Sequence, residues 1–408
     1  MTTTYDYIFA GGGMSALLLA YLIRAEDTLA DRTILIVEPS DGPAQPKNIC
    51  FWADELPALP LTLKGSWDAM SFGGKRGNKT QKIDPFTYYC FDAATLQNQL
   101  RDELDGAAGV TMMQDRVVRI EDDTVFLRQT PGGLRAKQYV FDSLPPVGST
   151  VSLWQHFLGW EVKVTNEAEF DADALTLMDF RVAQAEAPTF MYMLPFSPQK
   201  ALFEITLMSS DILSTKQYEA YLKTYLSTHY PQLEYTITRT ERGKIPMQRV
   251  AAEASSPRQV RLGIKGGMAK PTTGYTFLNS YRHARQIVSL LAGGKSLSLL
   301  PTAKPRFVFY DRLLLNIIRR SPQRVKPIME ALFYRNSYPR LLAFLSESTS
   351  LWQETKLFCT LPWLPFLTAL SHEYLLRAPR DEAQSHPDWP VLYPAHLEVD
   401  RNLERAVD

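Results

Sequence analysis

The chain has only three cysteines, Cys50, Cys90 and Cys359, far apart along 408 residues. So sparse and odd a set excludes a disulfide-stapled secreted scaffold. It shows no metal-ligand spacing and fits a reducing compartment. Nor is there an excess of either charge, since Lys+Arg and Asp+Glu are both 44. That balance leaves no global electrostatic footprint for nucleic acid. No apolar run is long enough to span a bilayer. The start, "MTTTYDYIFAGGG", has no basic segment ahead of an apolar core, which excludes a signal peptide. Internal repeats and low-complexity linkers are missing, so domain borders are soft. What is present is 45% hydrophobic and 22% charged residues, an ordinary globular balance. The expectation is a cytoplasmic protein of one large or two to three ordinary domains, compatible with lying on a membrane surface.

Local patterns give an α/β class. "YDYIFA" reads as a short apolar strand, "GGGMSA" as a turn, "LLLAYLIRA" as a helix and "RTILIVEPS" as a second buried strand. This is a β–α–β unit of the usual length. "DGPAQPKNICFW" reads as a loop by its Gly, Pro and Asn content. "DAATLQNQLRDEL" reads as a helix with Asp92 as N-cap and Leu96, Leu100 and Leu104 on one face. Residues 110–143 read as a strand meander. Strands continue to 250, interrupted by the helix "STKQYEAYLKTYLSTHY". Residues 255–295 return to strand, glycine-rich loop and helix, and the chain after 305 reads as mostly helical.

The first turn carries chemistry. Gly11, Gly13 and Ala16 fill a G-x-G-x-x-G/A pattern, with Met14 and Ser15 between them, and Glu38 ends the next strand. A dinucleotide site needs this set: glycines for the tight turn and for close approach to pyrophosphate, a helix N-terminus for its charge, and an acid for the ribose. No basic reader of a 2′-phosphate follows Glu38, which argues against NADP here. A second glycine-rich segment, "IKGGMAKPTTGYTF", comes much later, and that arrangement points to FAD. From spacing alone this segment is equally a flavin-contacting loop of backbone donors or a plain strand-to-helix connection.

"ALFEITLMSS" poses a different question. It reads as a strand with Glu204 at its centre, sharing a face with Leu202 and Thr206. A lone carboxylate there either points to water or faces an apolar pocket as an acid.

Several segments resemble, in order, those of the lycopene β-cyclases, most closely the single-chain bacterial type. "IKGGMAKPTTGYTF" resembles G-G-x-x-x-P-S/T-T-G-Y-S/T-F. "YVFDSLPP" resembles VFDSRP, and "QHFLGWEV" resembles QHFxGxxI/V. "ALTLMDFRV" occupies an acidic family position. "FMYMLPFSPQKALFEIT" resembles YxLPFSxxxALVExT, and "ERGKIPM" resembles ExGxIPM. "YDRLLLNII" and "LFCTLPWLPFLTAL" fill the C-terminal positions. The likeness spans about residues 5–372.

The resemblance implies a Rossmann-like FAD-binding part of the flavin hydroxylase or glutathione reductase type, a β-sheet substrate part and a helical C-terminal region. The corresponding borders are 1–150 for the FAD part with inserted segments, 151–254 for the substrate part, 255–300 for the return to the FAD part and 301–408 for the helices. It implies that Gly266, Gly267, Met268, Pro271, Thr273, Gly274 and Tyr275 join Gly11, Gly13, Met14, Ser15, Ala16 and Glu38 at the flavin. It implies redox-neutral cyclisation of a linear polyene by alkene protonation, using reduced FAD, with NAD(P)H as a candidate electron donor. Glu204 stands at the family's essential acid and Asp179 at a second acidic position. A lipophilic substrate and peripheral membrane contact through residues 331–370 follow from the same likeness. A cyclase acting on another isoprenoid, a flavin monooxygenase and a non-catalytic polyene binder remain open alternatives. The chain departs from D-R/H-T-W-x-F-W at "KNICFW", where Lys47, Asn48, Ile49 and Cys50 replace the first four residues. It also has Leu144 where the family has Arg, and Ile205 follows the acid in place of an aromatic or acidic residue.

Overall fold

The computed structural model describes residues 4–39, 42, 45–145, 151–165, 169–184, 186–249 and 256–374. Strands Tyr5–Ala10 and Ile34–Glu38 run parallel, with Tyr7 opposite Ile34 and Ala10 opposite Val37. Both are covered on both faces, which is why they read as continuous apolar runs rather than alternations. Val110–Gln114 extends this sheet on one side and Gly133–Asp142 on the other. Gln259–Arg261 returns from far along the chain to pair in parallel with Gly133–Asp142. Helices Met14–Arg24, Ala93–Asp105 and Phe277–Ala292 cover the sheet through Leu17, Leu100 and Ile287, among others. Asp92 caps its helix as expected, accepting from the Thr95 N–H.

A second sheet is antiparallel over most of its width. Its order is Tyr235–Pro246, Trp154–Val164, Lys200–Ser209, Thr189–Ser197, Ala174–Asp179, Ala69–Gly74 and Gly77–Lys82. The last two strands come from ahead of residue 151, so this sheet draws on more of the chain than the expected 151–254 segment. The period of two gives each strand two faces. One face packs Phe203, Ile205 and Leu207 under Leu222 and Tyr225 of helix Thr215–His229. The opposite face carries Leu202 and Leu194, which join a core with the C-terminal helices. Glu204 lies on this second face.

The loop expected at "KNICFW" is instead the strand Asn48–Ala53. It pairs antiparallel with Thr87–Asp92, which also pairs with Leu63–Trp67. Ile49, Cys50, Phe51 and Trp52 are good strand formers; their partners lie forty residues on, beyond the reach of local turn signals. The helices after 305 are Pro305–Arg320, Val325–Arg335, Tyr338–Leu345, Leu351–Phe358 and Trp363–Tyr374. Of the expected helical region, 375–408 lies outside the described residues, as do the expected borders near 150 and 254.

The later glycine loop is tied to these helices. Lys270 is buried and its Nζ reaches Asp311 at 3.0 Å and Glu347 at 2.9 Å. The Thr272 hydroxyl also donates to Asp311.

Candidate active site

The first turn forms as a dinucleotide cradle would. Gly11 sits at φ +95°, a conformation that penalises any side chain, and its N–H donates to the Val37 carbonyl at 2.9 Å. The Gly12 N–H donates to Glu38 Oε2 at 2.7 Å. That bond fixes the acid beside the turn and leaves acceptor capacity for ribose hydroxyls. No side chain caps helix Met14–Arg24 at Gly13, so the positive end of its dipole remains available to an anion. A Cβ on Gly13 would meet nothing nearer than Ser143 Oγ at 3.8 Å. Ala16 is fully buried against the sheet. Ser15 Oγ bonds Ser280 Oγ at 3.2 Å, which joins this turn to the helix that follows the later loop.

The later loop differs from a row of free backbone donors. The N–H groups of Gly266, Gly267 and Met268 bond back to Leu262, Ile264 and Gly263, and those of Thr273 and Gly274 bond to Lys270. Pro271 has no N–H to give. One side chain of the loop is also unsatisfied: Thr273 Oγ1 is buried without a hydrogen-bond partner. A buried hydroxyl in that state is costly unless a bound group meets it. Together the cradle and this orphan hydroxyl fit a flavin dinucleotide.

Tyr275 leads from that loop toward the acid. Its ring lies edge-on to Trp52 at 4.0 Å between centroids. Its hydroxyl is 3.3 Å from that of Tyr88, which is 2.9 Å from that of Tyr192. Tyr192 is the cross-strand neighbour of Glu204. Burial pushes the phenols of Tyr88, Tyr192 and Tyr275 upward, so all three stay neutral. Glu204 is half-buried on the sheet face that also carries Leu202 and its cross-strand neighbour Tyr192. Burial raises its carboxyl well above the usual range, and Glu241 and Cys50 add to the rise. Among the described residues, the Thr206 hydroxyl donates to Glu204 Oε1 at 3.2 Å and no cation pairs with it.

Glu241 and Glu161 share that sheet face, although the sequence marks neither as functional. Glu241 lies opposite Gly159, which lies opposite Glu204; Glu161 lies two residues further along the same strand as Gly159. Lys64 at 2.5 Å, Lys200 at 3.2 Å and Arg239 at 3.2 Å surround Glu161. Burial alone would raise Glu161, but these cations and Asn48 hold it at about 2. Asn48 therefore has a role: its side chain donates to Glu241 at 3.0 Å and to Glu161 at 3.3 Å. Two residues on, Cys50 stands opposite Cys90 in the strand pair, with the thiols in contact. The altered "KNIC" segment thus forms one wall of the site. Only the pairing of strands that are distant in sequence brings these groups together.

Asp179 is placed elsewhere. It is fully buried and accepts from Arg181 at 2.6 Å and from the Tyr225 hydroxyl at 2.7 Å. Burial opposes its charge, but these donors win and hold its carboxyl below the usual range. Its register partner Met191 and its donor Tyr225 belong to the face covered by helix Thr215–His229. The sheet separates Asp179 from Glu204, and its environment keeps it an anion rather than an acid.

A Rossmann-type sheet with a glycine turn, joined to a broad antiparallel sheet with a helical cover, defines a flavoprotein fold. Its likenesses among solved structures bear this out. A geranylgeranyl bacteriochlorophyll reductase-like protein from Thermoplasma acidophilum aligns with TM-score 0.53 and 13% identity, covering 91% of this chain and 97% of that one. The flavin-dependent brominase Bmp2 aligns with TM-score 0.53 and 13% identity, covering 92% and 100%. Within that class the chain belongs to the lycopene cyclase family, whose sequence model, described as Lycopene cyclase protein, matches residues 6–371. A lycopene beta-cyclase from Paracoccus sp. (strain N81106 / MBIC 01143) is 27% identical over 319 residues, 71% of this chain and 74% of the relative. One from Pantoea ananas is 25% identical over 295 residues, 68% and 72%.

Proposed function

We propose that this protein is an FAD-dependent cyclase that closes a β-ionone ring at the end of a linear, lycopene-like polyene, with no net redox change. The observation that carries this reading is the Glu204 carboxyl. Burial raises it well above the usual carboxyl range, on the sheet face where Tyr192, Tyr88 and Tyr275 lead by their hydroxyls to the loop that would seat the flavin. Protonating a terminal alkene needs a neutral acid next to an apolar substrate, and burial supplies one at neutral pH. Glu204 gives its proton to the terminal double bond. The neighbouring double bond attacks the resulting cation and closes the ring, and a proton then leaves the ring carbon. One proton enters and one departs, so the product is an isomer of the substrate. The rings of Tyr192 and Tyr275, which keep part of their surface accessible, suit stabilisation of a passing cation. The Gly11–Ala16 cradle and Thr273 would hold FAD, whose reduced form would supply negative charge that favours a cationic intermediate. NAD(P)H would be the source of its electrons.

The test is lycopene in liposomes with the purified protein, FAD and a chemical reductant under nitrogen. A product isobaric with lycopene and absorbing at shorter wavelength supports the reading. Unchanged lycopene with properly reduced, bound flavin counts against that substrate. In a parallel assay in air with NAD(P)H as the reductant, stoichiometric NAD(P)H and oxygen consumption would indicate a monooxygenase instead.

Flavin seating has its own check. Thr273→Val should weaken FAD binding about tenfold, the value of one net hydrogen bond of about 1–1.5 kcal/mol. The apoprotein should melt no earlier, since an unsatisfied buried hydroxyl is removed. Fluorescence titration and thermal melts measure the two. Unaltered affinity would place the flavin away from Thr273.

We further infer that the protein meets lipid with its last described helices. No helix among the described residues is long and apolar enough to cross a membrane. Yet Trp352 is 67% exposed, Trp363 69% and Leu364 57%, with Leu367 beside them. Lys356 lies over the Trp352 ring at 4.9 Å. Aromatic and aliphatic side chains flanked by cations suit the interfacial zone of a bilayer. Replacing Trp363 and Leu364 with Glu should reduce co-sedimentation with anionic vesicles at least tenfold and leave flavin binding unchanged. Undiminished sedimentation would exclude this surface.

A further inference from the structure

Glu204 and Glu241 flank a gap. They sit on the two strands either side of Gly159, in one cross-strand row that runs Tyr192, Glu204, Gly159, Glu241. A Cβ built on Gly159 would come within 3.3 Å of Glu204 Cβ and 3.4 Å of Glu241 Cγ. The missing side chain leaves the two acids on either side of one small gap, which the Leu202 Cδ1 methyl also borders at 3.0 Å from the open position. Their surroundings are unequal. Glu241 accepts from the Asn48 side chain at 3.0 Å, the Asn48 N–H at 3.3 Å and Arg239 at 3.3 Å. Lys64 and the Glu161 cluster lie behind these donors. Among the described residues, the polar groups about Glu204 carry no positive charge: the Thr206 hydroxyl, Tyr192 across the strand and the thiol of Cys50, which faces Cys90. A carboxylate that takes all its hydrogen bonds as acceptor, one of them from a guanidinium, is set up as the anion. Its neighbour, with no cation, is set up as the acid.

We propose that Glu241 is a positioning residue that, by remaining ionised across the Gly159 gap, keeps the proton on Glu204 ready for the alkene. The proposal rests on the cyclase reading for its purpose, but its physical content does not. Two like-charged groups at one site do not both ionise easily, and they titrate as a pair. Burial raises Glu241 as well, but Arg239 and Asn48 oppose that rise, so Glu241 gives up its proton first.

The decisive measurement is infrared titration of the protonated-carboxyl band of the flavin-loaded full chain without substrate. Glu204→Gln assigns the band. Glu241→Gln removes the facing anion, so the band should disappear about one pH unit or more below its wild-type midpoint. The alkaline limb of the cyclisation rate should move with it, a tenfold loss on that limb per unit. Arg239→Gln leaves Glu241 its two Asn48 donors, and so its charge, but strips away the cation that offsets that charge, so the midpoint should move the other way. Opposite shifts from two neighbouring substitutions are not a result of general damage, and the second variant keeps the test alive if the first fails to fold. A midpoint that is the same in all proteins, or shifts of the same sign, overturns the proposal. If the band moves as expected and no polyene is cyclised, the pair stands and the cyclase reading falls. If cyclisation proceeds and the band does not move, the reverse holds.

Discussion

Glu204→Gln should abolish cyclisation, lowering turnover by about 10²–10⁴-fold, the range for loss of a positioned general acid. FAD binding and the melting temperature should stay near wild type. The substitution is close to isosteric. It removes an ionisable group that the fold already holds neutral, so no buried charge is stranded. The amide still accepts from Thr206, as the carboxyl does. It cannot release a proton to an alkene, so the loss should fall on kcat rather than KM. Product analysis by chromatography and mass, at matched flavin occupancy, provides the check. Residual turnover within tenfold of wild type would move the proton donor away from Glu204.

Asp179 should show the converse. Asp179→Ala leaves Arg181 and the Tyr225 hydroxyl facing a void and should cost about 3–5 kcal/mol of stability, as for a buried pair that loses one partner. The strand opposite is built for this carboxylate: a Cβ on Gly73 would overlap its oxygens at 2.3 Å. The pH dependence follows from the depressed folded-state value. The contribution is complete above the unfolded carboxyl range, near 4, and is lost as pH falls through the lower folded value. Urea unfolding at pH 7 and at pH 3 should therefore separate wild type from variant widely at the first and narrowly at the second. An Asp179→Asn protein that is equally stable but inactive would return this residue to the chemistry.

The β–α–β start, the Asp92 cap, the meander and the C-terminal helices are legible because each rests on local pattern: apolar runs, a side-chain cap and a period of 3.6. The "KNIC" strand is not, since its pairing depends on Thr87–Asp92. The site is legible in the same proportion. Glu204 stands out as a charge in an apolar strand. Glu241 does not: it opens the "ERGKIPM" match, but Arg239, Arg242 and Lys244 surround it in sequence, and only the register across Gly159 sets it opposite Glu204. Asp179 shows the opposite limit. An acid at a suggestive position looks the same in sequence whether it meets a substrate or an arginine.

The Lys270 clasp on Asp311 and Glu347 links two tasks usually treated apart. One buried ammonium clasps the loop that would seat the flavin to helix Pro305–Arg320 and to the turn after Tyr338–Leu345, which leads into the helices that would rest on lipid. Where ordering the loop around a cofactor also orders those clasped elements, reciprocity requires that a bilayer which steadies them tighten the cofactor. An enzyme so built would be least active where its substrate is absent, in bulk water. It would be fully assembled only at the surface from which the polyene is drawn.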